Sequence, residues 1–359
     1  MANPKVSIIT PAYNHRNLIG ACIQSVRNQS FRDWEMIIVD DGSTDGTPEF
    51  VESYKDPRIK VLTQPNQGLV ALAKSYNRAL QASKGELIAI LEADDAWPPE
   101  KLDGQVSDFD DPAIVLSWGR AMMTDLDGHP IDLIPRRLPP PEAMVNQPVG
   151  RASFVMCQDQ FLTFAFPVTV MMRRTTVEKI GGFQQEPGMP VVDMATFLKM
   201  GLEGPWAFHD RILGYWRRHP DSATKSRFPQ ILNGAYKLAM KTLSTERERI
   251  PATDEEIKLV KRHWDYFQYE RLALLGRALA SEHRWEEAIA AFNHAEIYKL
   301  RPQARALIGG AKAMCSAHVN PEPLFLAVKH KGWQESARLS SGDPVISIDL
   351  DINDFIRID

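Results

Sequence analysis

Cysteine is scarce in this sequence: Cys22, Cys157 and Cys315 are the only three in 359 residues, far apart and without metal-type spacing. That excludes a disulfide framework, fits a reducing compartment and leaves each thiol as a small buried hydrophobe. Long apolar runs are missing as well. Stretches such as Val168–Met172 or Leu87–Leu91 fall far short of the roughly 18 residues that a membrane span needs. The opening MANPKVSIIT lacks the charged and long apolar regions of a secretory leader and reads better as a first strand. A soluble, cytoplasmic chain is the expectation, with any membrane contact peripheral. Positive charge is not in excess either. Lys and Arg total 42 against 46 Asp and Glu, a formal charge of −4, so nucleic acid is not an expected partner. No GxGxxG follows the first strand, which weighs against a dinucleotide-dependent oxidoreductase.

Three short segments carry most of the information: VSIITPAYN at Val6–Asn14, IIVDDGSTDGT at Ile37–Thr47 and GELIAILEADDAW at Gly85–Trp97. Each is an apolar run that stops abruptly in Pro, Asn, Asp, Gly, Ser or Thr, the pattern of a buried strand delivering polar groups to one edge of a sheet. Open α/β sheets bind ligands at such carboxyl ends. Between the strands, Leu18, Ile19, Cys22, Ile23 and Val26 line one helix face, and Pro48–Tyr54 and Leu69–Ala82 read as further helices. Lys5–Pro11, Trp34–Asp40, Ile59–Thr63 and Glu86–Leu91 are the predicted strands. Crossovers of this length imply parallel order. A helix over Pro98–Ser107 and a strand over Ile114–Trp118 follow.

Six prolines between Pro130 and Pro148 are too many for a helix or central strand, and predict an irregular connection, with a substrate-gating loop as the other option. Beyond it, Val168–Arg173 and Ile212–Arg217 read as strands, and Thr175–Ile180 and Val192–Met200 as helices.

Taken alone, Asp40–Asp41–Gly42–Ser43 reads as a turn with a helix cap, because those residues favour such conformations for local reasons. Glu92 and Asp94, two apart at a strand end, leave the chain on the same side and suit a hard divalent cation; the alternative is a solvated acidic loop. Asp193 at a helix start is by itself a favourable N-terminal charge, and His219 a satisfied loop histidine. The order and wording of the three segments, together with GGF at Gly181–Phe183, VVDM ending in Met194 and YWRRHP at Tyr215–Pro220, resemble the family 2 glycosyltransferases, inverting enzymes of the GT-A fold that use nucleotide-diphosphate sugars. The likeness spans roughly residues 4–220.

That resemblance implies the roles. Thr10, Pro11, Ala12 and Tyr13 would hold the base and ribose, joined by Asp40 and Asp41. LEADD resembles the family's DXD motif, with Glu92 where Asp is usual, so that Asp94 would be the ligand of Mn²⁺ or Mg²⁺ and Glu92 and Asp95 its support. Asp193 would be the general base, with Val192 replacing a customary acid. His219 matches an element found near the metal or diphosphate, and Arg217 or Arg218 would pair with phosphate. Asn66, Gly68 and Asn77 resemble a donor-side segment at altered spacing; Lys74 and Arg78 would supply a cation there or stay solvated on their helix.

From about Phe228 the composition turns helical. Tyr269–Pro302 matches the 34-residue tetratricopeptide pattern at Leu275, Gly276, Ala288, Phe292 and Ala295. The expected organisation is an α/β GT-A domain with a mostly parallel sheet over 1–226, an all-α tetratricopeptide-like region over 227–320 and a tail over 321–359, whose Val345–Asp359 reads as an edge strand or loose end. The expected activity is metal-dependent inverting transfer of a sugar, from a UDP-sugar by preference, to a hydroxyl of a glycan, lipid-linked or protein acceptor. A protein partner on the helices is a further expectation. Glu92, Val192 and the repeat leave one alternative, a fold kept for binding without catalysis.

Overall fold

The computed structural model describes residues 3–158, 165–219, 222, 224, 227–298 and 302–327. By contacts the chain divides into two units, Met1–Ala252 and Thr253–Asp359.

The first unit is built on an eight-stranded sheet: β1 Val6–Ala12, β2 Trp34–Asp40, β3 Ile59–Thr63, β4 Leu87–Ile90, β5 Leu116–Thr124, β6 Pro130–Ile134, β7 Met171–Arg173 and β8 Trp206–Arg217. The order is β3-β2-β1-β4-β7-β5-β6, with β8 beside β5. The first four strands are parallel, as the crossover lengths require. From β7 onward the sheet is mixed: β7 runs antiparallel to β4 and β5, and β8 parallel to β5. Burial on both faces explains why β1 and β2 read as nearly unbroken apolar runs. The helix Ile19–Arg27, through Ile19, Cys22, Ile23 and Val26, packs with Ile8, Met36 and Ile38 in one core. Pro11 is tolerated near the centre of this sheet because the β1–β4 ladder ends at Ile9 and Ile90, so only β2 pairs with that part of β1.

Two expectations change. The proline-rich segment is not wholly irregular: Pro130–Ile134 forms β6 at the end of the sheet path, with Pro130 as its first residue, and Pro141–Met144 is a short helix. An edge strand tolerates a missing N–H where a central strand does not. The helix Phe228–Thr245 belongs to the first unit, beyond the boundary drawn at 226/227. It packs on the helices Arg151–Gln158 and Asp193–Met200, and its Gly234 lies against Met189.

Ile231, Leu232, Leu238 and Leu243 of that helix are buried. At roughly 1.5–3 kcal/mol each, their burial is on the order of the whole stability of a domain. A fragment of residues 1–226 should therefore aggregate or melt without a cooperative transition, and a fragment of 1–252 should unfold cooperatively. Circular dichroism melts of the two separate these outcomes, and a stable 1–226 would show the helix to be dispensable.

The second unit comprises helices Asp254–Ser281, Trp285–Ala295, Pro302–Ser316 and Glu322–Ala327 among the described residues. Thr253 and Glu256 form a reciprocal cap at its start. A Cβ at Gly276 would sit 2.5 Å from the Phe292 ring, so the close approach of the first two helices needs glycine there. Leu272, Leu275, Phe292, Ile308 and Phe325 share the core, and Arg277 grips Glu322 through two hydrogen bonds of 2.9 and 2.6 Å. The first residues of the expected tail are thus a packed helix; Val345–Asp359 lies outside the described residues.

Candidate active site

Three strand ends converge. After β1, Asn14 turns the chain at φ +54°, a left-handed conformation that asparagine tolerates better than most residues. Its N–H donates to Ser43 Oγ at 2.8 Å, and its Oδ1 accepts Thr44 N–H at 2.9 Å. Ser43 in turn donates its N–H and hydroxyl to Asp40, which is almost fully buried at the end of β2. Asp41 accepts the N–H groups of Gln67 and Gly68 at 3.0 and 3.2 Å and Gln64 Nε2 at 2.7 Å, holding the segment with Asn66 and Gly68 beside the β2 loop. Tyr13 stands about half exposed above this floor.

After β4, Tyr76 donates its hydroxyl to Glu92 Oε1 at 2.7 Å. Ala96 and Tyr215 exchange backbone hydrogen bonds at 3.2 and 2.8 Å, which lays the end of β8 against the Glu92–Asp95 turn. His219 follows two residues after β8 and meets Asp94, Nε2 to Oδ2 at 3.1 Å. Asp95 is buried and accepts the N–H of Arg217 at 3.0 Å. Arg217 itself is buried, bonding the carbonyls of Asp94 and Leu18, the latter at 2.8 Å. It ties the turn to the start of the first helix.

The carboxylates cannot all carry charge so close together. Burial, with Asp94 nearby, raises Glu92 to about 8. Burial and the same neighbours push Asp95 well up. Burial would also raise Asp94, but the His219 hydrogen bond and the His15 and His219 charges outweigh it, holding Asp94 below the usual carboxylate range. Glu92, Asp94 and Asp95 each offer an oxygen within 4.8 Å of the others, and so do His15, Asp94 and His219 with one ligand atom each. Tyr76 and Arg217 already engage Glu92 and Asp95. Among the described residues Asp94 is the carboxylate grouped with the two imidazoles, and a carboxylate with histidine nitrogens is a donor set that a divalent transition-metal ion accepts.

Asp193 opens the helix Asp193–Met200. Its Oδ1 is shut off from solvent with no hydrogen-bond partner among the described residues, and burial raises its carboxyl. Its charge adds, after burial and nearer groups, to the upward shifts of both Glu92 and Tyr76.

Several expected contacts read differently in the structure. Thr10 is fully buried and its hydroxyl finds no partner among the described residues; of the rest of that segment Ala12 is buried, Pro11 half-buried and Tyr13 exposed. Asn77 gives both ends of its amide to Phe183, Nδ2 to O at 2.9 Å and N to Oδ1 at 2.8 Å. It positions the GGF turn, where a Cβ on Gly182 (φ +83°) would collide with it. Asp95 and Arg217 are buried and hold the turn from within. His15 escaped sequence reasoning altogether; its position just past the β1 end was the one available signal.

The chain matches the Glycosyl transferase family 2 profile over residues 7–181. The putative teichuronic acid biosynthesis glycosyltransferase TuaG of Bacillus subtilis (strain 168) is 30% identical over 277 residues, 76% of this chain and 98% of that protein. The UDP-Glc:alpha-D-GlcNAc-diphosphoundecaprenol beta-1,3-glucosyltransferase WfgD of Escherichia coli is 42% identical over 102 residues, 28% of this chain and 40% of the relative. Among solved structures, S. aureus TarS 1-349 in complex with UDP-GlcNAc aligns over 94% of this chain and 92% of that one, with TM-score 0.59 and 18% identity. The mannosyltransferase PcManGT from Pyrobaculum calidifontis in complex with GDP-Man and Mn2+ aligns over 96% of this chain and 86% of that one, with TM-score 0.52 and 19% identity. The mixed sheet with its gathered strand ends has the GT-A-type fold. The chain belongs to glycosyl transferase family 2.

Proposed function

We propose that this glycosyltransferase moves a sugar, with inversion, from a UDP-sugar to a hydroxyl of a lipid-linked or polysaccharide acceptor, with the help of a divalent cation. The observation that carries the reading is the meeting of Asp94 and His219, 125 residues apart, beside Glu92 and within the electrostatic reach of Asp193. Pro11, Ala12 and Tyr13 would receive the nucleoside, an aromatic with backbone groups suiting a flat heterocycle with polar edges. Asp40 and Asp41 stabilise the loop beneath it, and the exposed Asn66 and the open position of Gly68 border the donor. Asp94 and His219 would hold Mn²⁺ or Mg²⁺, which when bound supplies Lewis-acid stabilisation of the departing diphosphate. Asp193 takes the acceptor proton as the hydroxyl attacks the anomeric carbon from the face opposite the leaving group.

The names of two relatives support the substrate class: one is assigned to teichuronic acid biosynthesis, the other to a UDP-Glc donor and a diphosphoundecaprenol-linked acceptor. No helix among the described residues is long and apolar enough to cross a membrane. The helix pair around Gly276 and Phe292 is of tetratricopeptide type in its small-residue contact, and would receive the acceptor or a protein partner. A panel of α-linked UDP-sugars with Mn²⁺ tests the chemistry. Proton NMR of the first-formed product should show the β-anomer, and retained α-configuration would refute inversion.

A further inference from the structure

His15 is fixed in place more firmly than a surface histidine requires. Its N–H donates to Thr47 Oγ1 at 3.0 Å, its carbonyl accepts the N–H groups of Leu18 and Ile19 at 2.9 Å each, and the next residue, Arg16, donates its N–H to Asp45 at 2.9 Å. The left-handed Asn14 before it completes the clamp. With the backbone held, the ring points inward. Nδ1 is closed to solvent and has no hydrogen-bond partner among the described residues. The ring stands edge-on to His219 with centroids 6.4 Å apart.

A buried, unpartnered ring nitrogen costs free energy unless something accepts its lone pair or proton. The ring's neighbours show what could engage it, because one of its two nitrogens lies in a cluster of ligand atoms. His15, Asp94 and His219 each bring one ligand atom within 4.8 Å of the other two. Two ligands of one ion at bonds of about 2.0–2.6 Å lie up to about 4–5 Å apart, so the three atoms fit a single cation. We infer that His15 is a third protein ligand of the cation site, making with Asp94 and His219 a set of two imidazoles and one carboxylate. This rests on the assignment of Asp94 and His219 to a cation and extends it in one respect, metal choice. Mg²⁺ and Ca²⁺ are bound almost wholly through oxygen, whereas a mixed nitrogen and oxygen site binds first-row divalent ions with an affinity that rises from Mn²⁺ to Co²⁺ and beyond. The site therefore selects Mn²⁺ or Co²⁺ over Mg²⁺.

Pulsed electron paramagnetic resonance on the full-length protein with Mn²⁺ alone, without nucleotide, counts the imidazole nitrogens coupled to the ion. The wild type should show two, and His15→Gln and His219→Gln one each. Displacement of Mn²⁺ from the wild type should take at least about tenfold more Mg²⁺, an excess that narrows in His15→Gln. One imidazole in the wild type, lost in His219→Gln and unchanged in His15→Gln, would overturn the role of His15 and leave the cation site standing. The wild-type count decides the matter even if a variant does not fold. A Mn²⁺ spectrum that stays that of the free ion would overturn the cation assignment itself, and the present inference with it.

Discussion

Asp193→Asn should lower sugar transfer by about 10²–10⁴-fold while leaving the affinity for the nucleotide-sugar nearly unchanged, because a general base acts in the chemical step and not in donor binding. Asparagine keeps the size of the side chain and removes only the proton acceptor. The same residue should set an acid limb in the pH profile. Burial raises the Asp193 carboxyl above the ordinary carboxylate range. A base must be unprotonated, so turnover should fall as pH drops through that raised value, and the residual activity of the variant should lack this limb. Steady-state kinetics against pH, with donor binding measured separately by calorimetry, check both parts. A variant that lost nucleotide binding yet kept its turnover would show Asp193 to be a donor contact.

Asp94→Ala should cost at least about 2 kcal/mol of cation-assisted donor binding, roughly a 30-fold weakening, since it removes the carboxylate grouped with both imidazoles. The loss should be larger in turnover than in binding, because charge on the leaving diphosphate grows in the transition state. His219 is nearly buried and bonded to Asp94, so the variant also strands an imidazole. Asp94→Asn, which keeps a hydrogen-bond acceptor for His219 and removes the charge, separates the two effects: it should retain the fold and still lose the cation. Undiminished Mn²⁺-dependent turnover in either variant would remove Asp94 from the site.

What could be read from the sequence were features written locally. The ends of β1, β2 and β4 announce themselves because a buried strand is continuously apolar and its loop is not, and the family wording of TPAYN, DDGS and LEADD fixed their order. The GGF turn and the helix that opens at Asp193 were legible from the same family wording. Pairings across long sequence separations were not. Nothing near Arg217 shows that its guanidinium would reach Leu18, 199 residues away, and so act as a strut. Asn77 reads as a donor contact because its segment resembles the family's donor-side one; its two bonds to Phe183 become visible only when the helix Leu72–Ala82 meets the GGF turn. His15 was silent for a related reason, since a single histidine after a strand says little until Asp94 and His219 come alongside. The proline-rich segment misled in the other direction. Its composition excludes a central strand but not an edge one, and β6 pairs with β5 at the end of the sheet path. The composition change near Phe228 marked the start of helices correctly. It did not reveal that the helix Phe228–Thr245 covers the first unit, because helical composition does not specify what a helix packs against.

Nucleotide binding with and without a divalent cation bears most directly on the central assignment. Thermal unfolding of the full-length wild type should shift upward with UDP or a UDP-sugar in the presence of Mn²⁺, by an amount that grows with ligand concentration as mass action requires. The shift should collapse when the cation is chelated, and should be absent in Asp94→Ala. An equal shift in wild type and variant with the cation removed would contradict a cation site at Asp94 and His219.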